Sequence, residues 1–93
     1  MIKSFKCKET EKIYNRNYSK KLPSDIQKIT FRKLRMLNRA YIIDDLKVPP
    51  GNQLEKLQKD RKGQYSIRIN KQWRICFNYD NHDAYDVEIL DYH

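Results

Sequence analysis

Gln64-Tyr65-Ser66-Ile67-Arg68-Ile69-Asn70, then Lys71-Gln72, then Trp73-Arg74-Ile75-Cys76-Phe77-Asn78-Tyr79 reads as two strands joined by a two-residue connection. Successive side chains of a strand point to opposite faces. Tyr65, Ile67 and Ile69 therefore share one face of the first strand, and Trp73, Ile75, Phe77 and Tyr79 share one face of the second. Gln64, Ser66, Arg68 and Asn70, with Arg74, Cys76 and Asn78, lie opposite. One face asks for an apolar cover, and the other is left for polar chemistry.

Downstream, the turn Asp80-Asn81-His82-Asp83 leads to a third run, Ala84 to Tyr92, in which Val87 and Ile89 point inward and Glu88, Leu90 and Tyr92 outward. Antiparallel pairing then sets Arg68, Arg74 and Tyr92 on one surface, although a single β-bulge would flip part of that assignment. On this reading Arg74 stands on the polar face, and Arg74→Ala should leave the fold intact. His82, in the turn, reads as plain surface. Upstream, Val48-Pro49-Pro50-Gly51-Asn52 stops any helix or ladder.

Before that break, Pro23-Ser24-Asp25 is a helix start, with Ser or Asp able to cap the free amides. Ile26, Ile29, Phe31, Leu34 and Leu37 follow at mostly helical spacing to about Asn38, and Ala40 to Leu46 adds a further turn. Lys28, Arg32, Lys33, Arg35 and Arg39 form a basic outer face, open to reading as solvated surface or as an RNA contact. Lys8 to Tyr18 suits a short helix anchored by Ile13 and Tyr14, and Ile2 to Cys7 a first strand. The sum is a two-layer α+β domain, helices on an antiparallel meander.

Ninety-three residues make one domain, 1–93, too small for a deep enclosed cavity, which favours a polymer substrate over a metabolite. Twenty Lys plus Arg against twelve Asp plus Glu give a charge of +8, which attracts nucleic acid or an acidic protein. Residues 1–39 hold 12 basic and 3 acidic side chains, 40–79 hold 8 and 4, and 80–93 hold 0 and 5. Any nucleic-acid site near the C-terminus must borrow its cations from elsewhere. Cys7 and Cys76 lack a partner spacing for zinc and read as reduced; no metal or cofactor is expected. Without a signal peptide or membrane span the chain is expected in the cytoplasm.

Met1-Ile2-Lys3-Ser4-Phe5, the Val48 to Asn52 stretch, Asp60-Arg61-Lys62-Gly63-Gln64-Tyr65, Gln72-Trp73-Arg74-Ile75-Cys76-Phe77 and the ending Asp86-Val87-Glu88-Ile89-Leu90-Asp91-Tyr92-His93 together resemble the HigB proteins, also described as plasmid-maintenance killer proteins. The resemblance spans essentially the whole chain. It implies a RelE-like fold, helices packed on a curved antiparallel sheet, and the toxin of a type II toxin-antitoxin system. The implied activity is a ribosome-dependent endoribonuclease, an mRNA interferase, that cleaves messenger RNA in the A site of the 70S ribosome. The implied partner is a HigA-type helix-turn-helix antitoxin, with operator DNA met only through the antitoxin complex.

The family's catalytic surface maps onto Asp91-Tyr92-His93, Arg74, and Lys59 and Arg61 in the turn before the first long strand; Lys56, Lys62, Arg68 and Lys71 beside them are read as RNA-binding. Where some relatives carry His-x-Leu-Lys-Gly-Asp-Arg, this chain reads Glu55-Lys56-Leu57-Gln58-Lys59-Asp60-Arg61, so Glu stands for His, and the general base is left open. Metal-free cleavage needs the 2′-hydroxyl to lose a proton, the phosphorane to be stabilised and the leaving 5′-oxygen to gain a proton. Arg74 and Arg61 suit the phosphorane, because guanidinium stays charged and binds phosphate in bidentate fashion. His93 suits proton transfer near neutral pH, Tyr92 could stack on a base, and Asp91 is expected to orient His93 or Arg74. The rival readings are a ParE-like poison of DNA gyrase on the same fold and a nucleic-acid-binding module without activity.

Overall fold

The computed structural model describes residues 1–58 and 63–91. Helix α1 spans Lys8–Tyr14 and α2 spans Ser24–Arg39, followed by 3-10 turns at Ile43–Lys47 and Pro50–Asn52. Strands β1 (Glu55–Lys56), β2 (Gln64–Arg68), β3 (Trp73–Asp80) and β4 (Asp83–Asp91) form one antiparallel sheet in the order β1-β2-β3-β4. Both helices lie against the face that carries Ile67, Ile75, Phe77, Val87 and Ile89, where Ile13, Ile26, Leu34, Leu37 and Leu46 complete the core. The α+β architecture read from the alternation is the one observed. No helix among the described residues is long and apolar enough to cross a membrane.

Several local readings are corrected. The first run, Ile2 to Cys7, is reduced to two isolated parallel bridges along β4, Ile2 with Ala84 and Phe5 with Val87. The cause lies between them: the Asp86 amide donates to the Ser4 hydroxyl oxygen at 2.9 Å, so a side chain takes the place of a ladder carbonyl. Helix α1 stops at Tyr14, short of Tyr18, because Arg16 adopts a left-handed conformation with φ 65°. Neither Ser24 nor Asp25 caps α2: Pro23 is the cap position, and no side-chain cap bond forms there. The turn after α2 begins at Ile43, with the Asp45 carboxylate accepting the Tyr41 and Ile42 amides. His82 is at the surface as expected, where its ring stacks on exposed Tyr41 with centroids 4.2 Å apart.

Strand β2 ends at Arg68, so the connection runs from Ile69 to Gln72. Asn70 tightens it, its side-chain oxygen accepting the amides of Gln72 and Trp73, each at 2.8 Å. A bulge does occur in β4: the register passes from Cys76–Glu88 to Asn78–Tyr85, and the extra residue includes left-handed Asp86 with φ 52°. Its effect is to turn Ala84 and Val87, three positions apart, both into the core. Downstream of the bulge the assignment of Glu88 and Leu90 to the outer face stands.

Candidate active site

The cross-strand register places Glu55, Ser66, Cys76 and Glu88 in one row across the sheet face opposite the helices. The adjacent row is Arg68, Arg74 and Leu90. Residues directly opposite on paired strands have neighbouring side chains, so Arg74 sits between Arg68 and Leu90 with Ser66 diagonal to it.

Arg74 is on the expected face, but it is buried, only 7% exposed. Its Nε donates to Ser66 Oγ at 2.8 Å, and its Nη2 donates to the carbonyl oxygens of Gln53 at 2.5 Å and Ser66 at 3.3 Å. Glu55 Oε2 lies 3.9 Å from the same Nη2. The expectation that Arg74→Ala would spare the fold is therefore corrected: this guanidinium ties β2 and β3 to the chain ahead of β1. The contacts it makes with described residues run through Nε and Nη2.

Gln53 reaches Arg74 because its backbone is left-handed, φ 43°, just after the turn at Pro50–Asn52. That conformation is uncommon for a residue with a side chain, and here it aims the carbonyl at the guanidinium. Asn52 holds the turn from below. It is fully buried, and its amide group donates to the Leu46 carbonyl at 3.1 Å while its oxygen accepts Lys33 Nζ at 2.6 Å.

Of the other residues singled out from the sequence, Arg68 is half-buried beside Arg74, while Lys56 on β1 and Lys71 in the β2–β3 connection are exposed. Asp91 pairs with Trp73 and accepts a hydrogen bond from Gln72 Nε2 at 3.1 Å. It is thus one residue out of phase with Arg74 in the register, while the hydrogen bonds described for the guanidinium go to Ser66 and Gln53. Lys59, Arg61, Lys62, Tyr92 and His93 lie outside the described residues.

Sequence reasoning missed the supports. Ser66 had been placed on the polar face but given no task, and Gln53 none. Glu55 stands in the sequence as the replacement of a histidine, with the general base left open. Among the described residues it is the carboxylate that lies within 4 Å of Arg74, and it is more than half exposed on its two-residue strand. Glu88 is 8% exposed, and Lys6 Nζ lies 3.3 Å from its Oε2, off the direction of a hydrogen bond, so that oxygen is balanced by charge alone.

The family described as "RelE-like toxin of type II toxin-antitoxin system HigB" matches residues 3–93. The chain belongs to this HigB-like toxin family. It is 42% identical over 80 residues to Toxin HigB-1 of Vibrio cholerae, covering 85% of this chain and 84% of that one. It is 35% identical over 94 residues to Endoribonuclease HigB of Proteus vulgaris, covering the full length of both. Among solved structures, YafQ from Escherichia coli superposes with a TM-score of 0.61 at 12% identity, over 98% of this chain and 91% of that one. The YoeB-YefM toxin-antitoxin complex of Staphylococcus aureus superposes at 0.62 with 21% identity, over 100% of this chain and 95% of that one. At such identities the likeness shows the fold, which is that of the RelE-like toxins. A type II toxin works against an antitoxin, and an antitoxin is the partner of this HigB-like chain.

Proposed function

We propose that this HigB-like toxin, an endoribonuclease, cuts messenger RNA in the A site of the ribosome, and that residues 1–93 form the single domain that does so. The observation that carries the reading is the Arg74 guanidinium on the sheet face opposite the helices, held in place by Ser66 and Gln53 with Glu55 3.9 Å away. A donor fixed in advance stabilises developing phosphorane charge without reorganising during the reaction. Glu55, beside it, is placed to take the proton of the attacking 2′-hydroxyl. His93 supplies the proton to the leaving 5′-oxygen, Tyr92 stacks on a codon base, and Lys59 and Arg61 add charge around the phosphate. Asp91, tied to the β2–β3 connection through Gln72, steadies the chain just before His93.

The reaction proceeds by in-line attack of the 2′-hydroxyl, without a metal, and leaves a 2′,3′-cyclic phosphate and a 5′-hydroxyl. Lys56, Lys62, Arg68 and Lys71 contact the RNA, and the antitoxin is of the HigA helix-turn-helix type, acting in the cytoplasm and carrying the complex to operator DNA. Mapping messenger ends after incubation with translating ribosomes, beside a gyrase assay, tests this. Cuts in register with codons support it. Intact messenger with gyrase damage supports the ParE-like alternative, and neither effect supports a binding module.

A further inference from the structure

Beside Arg74 the chain runs Gln53-Asn52, and these two neighbours point in different directions: Gln53 holds Arg74 and Asn52 holds Lys33 on α2. Lys33, Arg32, Ile29, Met36 and Pro49 line a notch of about 290 Å³ between α2 and the Pro50–Asn52 turn. Lys33 is held below its ordinary lysine pKa, first by burial and then by the charges of Arg68, Arg32 and Arg74. Arg32 and Lys33 thus meet in the notch, and Arg68 and Arg74 are cross-strand partners on the sheet. Among the described residues Arg32, Lys33 and Arg68 form no ion pair, and the only carboxylate near the group, Glu55, faces Arg74. Like charges gathered without counter-charge cost stability, and an arriving anion recovers that cost.

We infer that the notch at Lys33 and Arg32 is a second phosphate subsite, which takes the RNA backbone one or more nucleotides away from the bond held at Arg74. The inference rests on the ribonuclease reading and extends it. Lys33 does not swing freely, because the fully buried Asn52 fixes its ammonium at 2.6 Å and Asn52 is itself fixed to Leu46. A fixed ammonium gives position as well as charge, and the apolar floor of Ile29, Met36 and Pro49 can take the face of a ribose or base. RNA is favoured over an acidic protein segment because the notch joins two cations to an apolar floor, which suits a phosphate beside a ribose or base.

The test uses oligonucleotides of three and seven residues with a 2′-deoxy group at the scissile position, so that they bind without being cut, read by fluorescence anisotropy across a salt series. Each lost phosphate contact lowers the salt slope of single-strand binding by about 0.7. The double variant Arg32→Gln, Lys33→Gln should therefore lose about 1.4 from the heptamer slope and bind it about ten-fold more weakly near 0.1 M salt, with a much smaller effect on the trimer. Arg32→Gln alone, at an exposed position that leaves Asn52 untouched, should show about half the change in slope. Unchanged heptamer affinity and slope in folded variants overturns the subsite while leaving the ribonuclease reading standing. A wild-type protein that binds the heptamer no more tightly than the trimer also overturns the subsite, whereas the ribonuclease reading stands or falls on the mapped messenger ends. Weakened antitoxin binding with normal heptamer binding assigns the notch to the partner and overturns the inference.

Discussion

Replacing Arg74 should damage the fold and the chemistry together, and the two losses can be separated. Arg74→Ala removes three hydrogen bonds from a side chain that is 7% exposed, leaving the Ser66 hydroxyl and the carbonyls of Ser66 and Gln53 around a gap. Hydrogen bonds to a charged group contribute about 1.5–3 kcal/mol each, but relaxation of the freed acceptors and water filling the gap recover part of that. A net loss of about 3 kcal/mol is expected, a large part of the roughly 5–15 kcal/mol that holds a small domain together. For this size of domain that lowers Tm by about 12–24 °C. Absence of growth arrest by Arg74→Ala is therefore ambiguous by itself. Arg74→Lys keeps the charge and can still reach one acceptor, so it should melt closer to wild type, yet it lacks the fork that holds protein and phosphate at once. Its single-turnover cleavage on programmed ribosomes, measured below the melting range, should fall about 10²- to 10³-fold. A folded Arg74→Lys protein that cuts within about three-fold of wild type would falsify the phosphorane role, and an Arg74→Ala protein melting within about three degrees of wild type would show that the guanidinium is no anchor.

Deleting His93, or replacing it by Gln, should reduce ribosome-dependent cleavage strongly while leaving thermal stability and ribosome affinity nearly unchanged; a deletion variant that cuts at the wild-type rate removes His93 from the mechanism. The gene product encoded beside this chain should co-purify with it and protect cells, engaging the +8 domain through acidic side chains; failure to do either counts against the partner. The Glu9 carboxyl is held below its ordinary value, chiefly by the Ser19 hydroxyl at 2.6 Å. A depressed carboxyl contributes stability that is present above its unfolded pKa and lost as pH falls through the folded one. Ser19→Ala should thus destabilise at neutral pH and flatten the acid limb of a melting-temperature series, and an unchanged acid limb refutes the linkage.

The sheet was legible because β2 and β3 bury one face against helices, and a half-buried strand must alternate. Ile67, Ile75 and Phe77, all fully buried, follow that rule without exception. What escaped reading was local and backbone-made. The left-handed Gln53 has no composition cue, since the preceding Pro49-Pro50-Gly51-Asn52 announces a break but not which carbonyl turns back onto β3. Strand β1, two residues long, is too short to show a period, which hid the pairing that sets Glu55 opposite Ser66 and so beside Arg74. Polar alternation placed Arg74 on the outer face correctly. It could not reveal that a polar side chain on that face is buried by its own supports.

Glu55 stands where some relatives carry a histidine, and substitution can separate a role in proton transfer from a role in the fold. Its carboxylate is more than half exposed and its ion pair with Arg74, at 3.9 Å, is long, so the pair contributes little to stability. Glu55→Gln keeps the shape and removes the basic oxygen, so single-turnover cleavage should fall by about 10²- to 10⁴-fold with little change in melting. Glu55→His returns the residue type of those relatives and should restore part of the rate. A folded Glu55→Gln protein that cuts at the wild-type rate assigns the base to another group, and Lys59 and Arg61, later in the same stretch of sequence, become the next residues to replace.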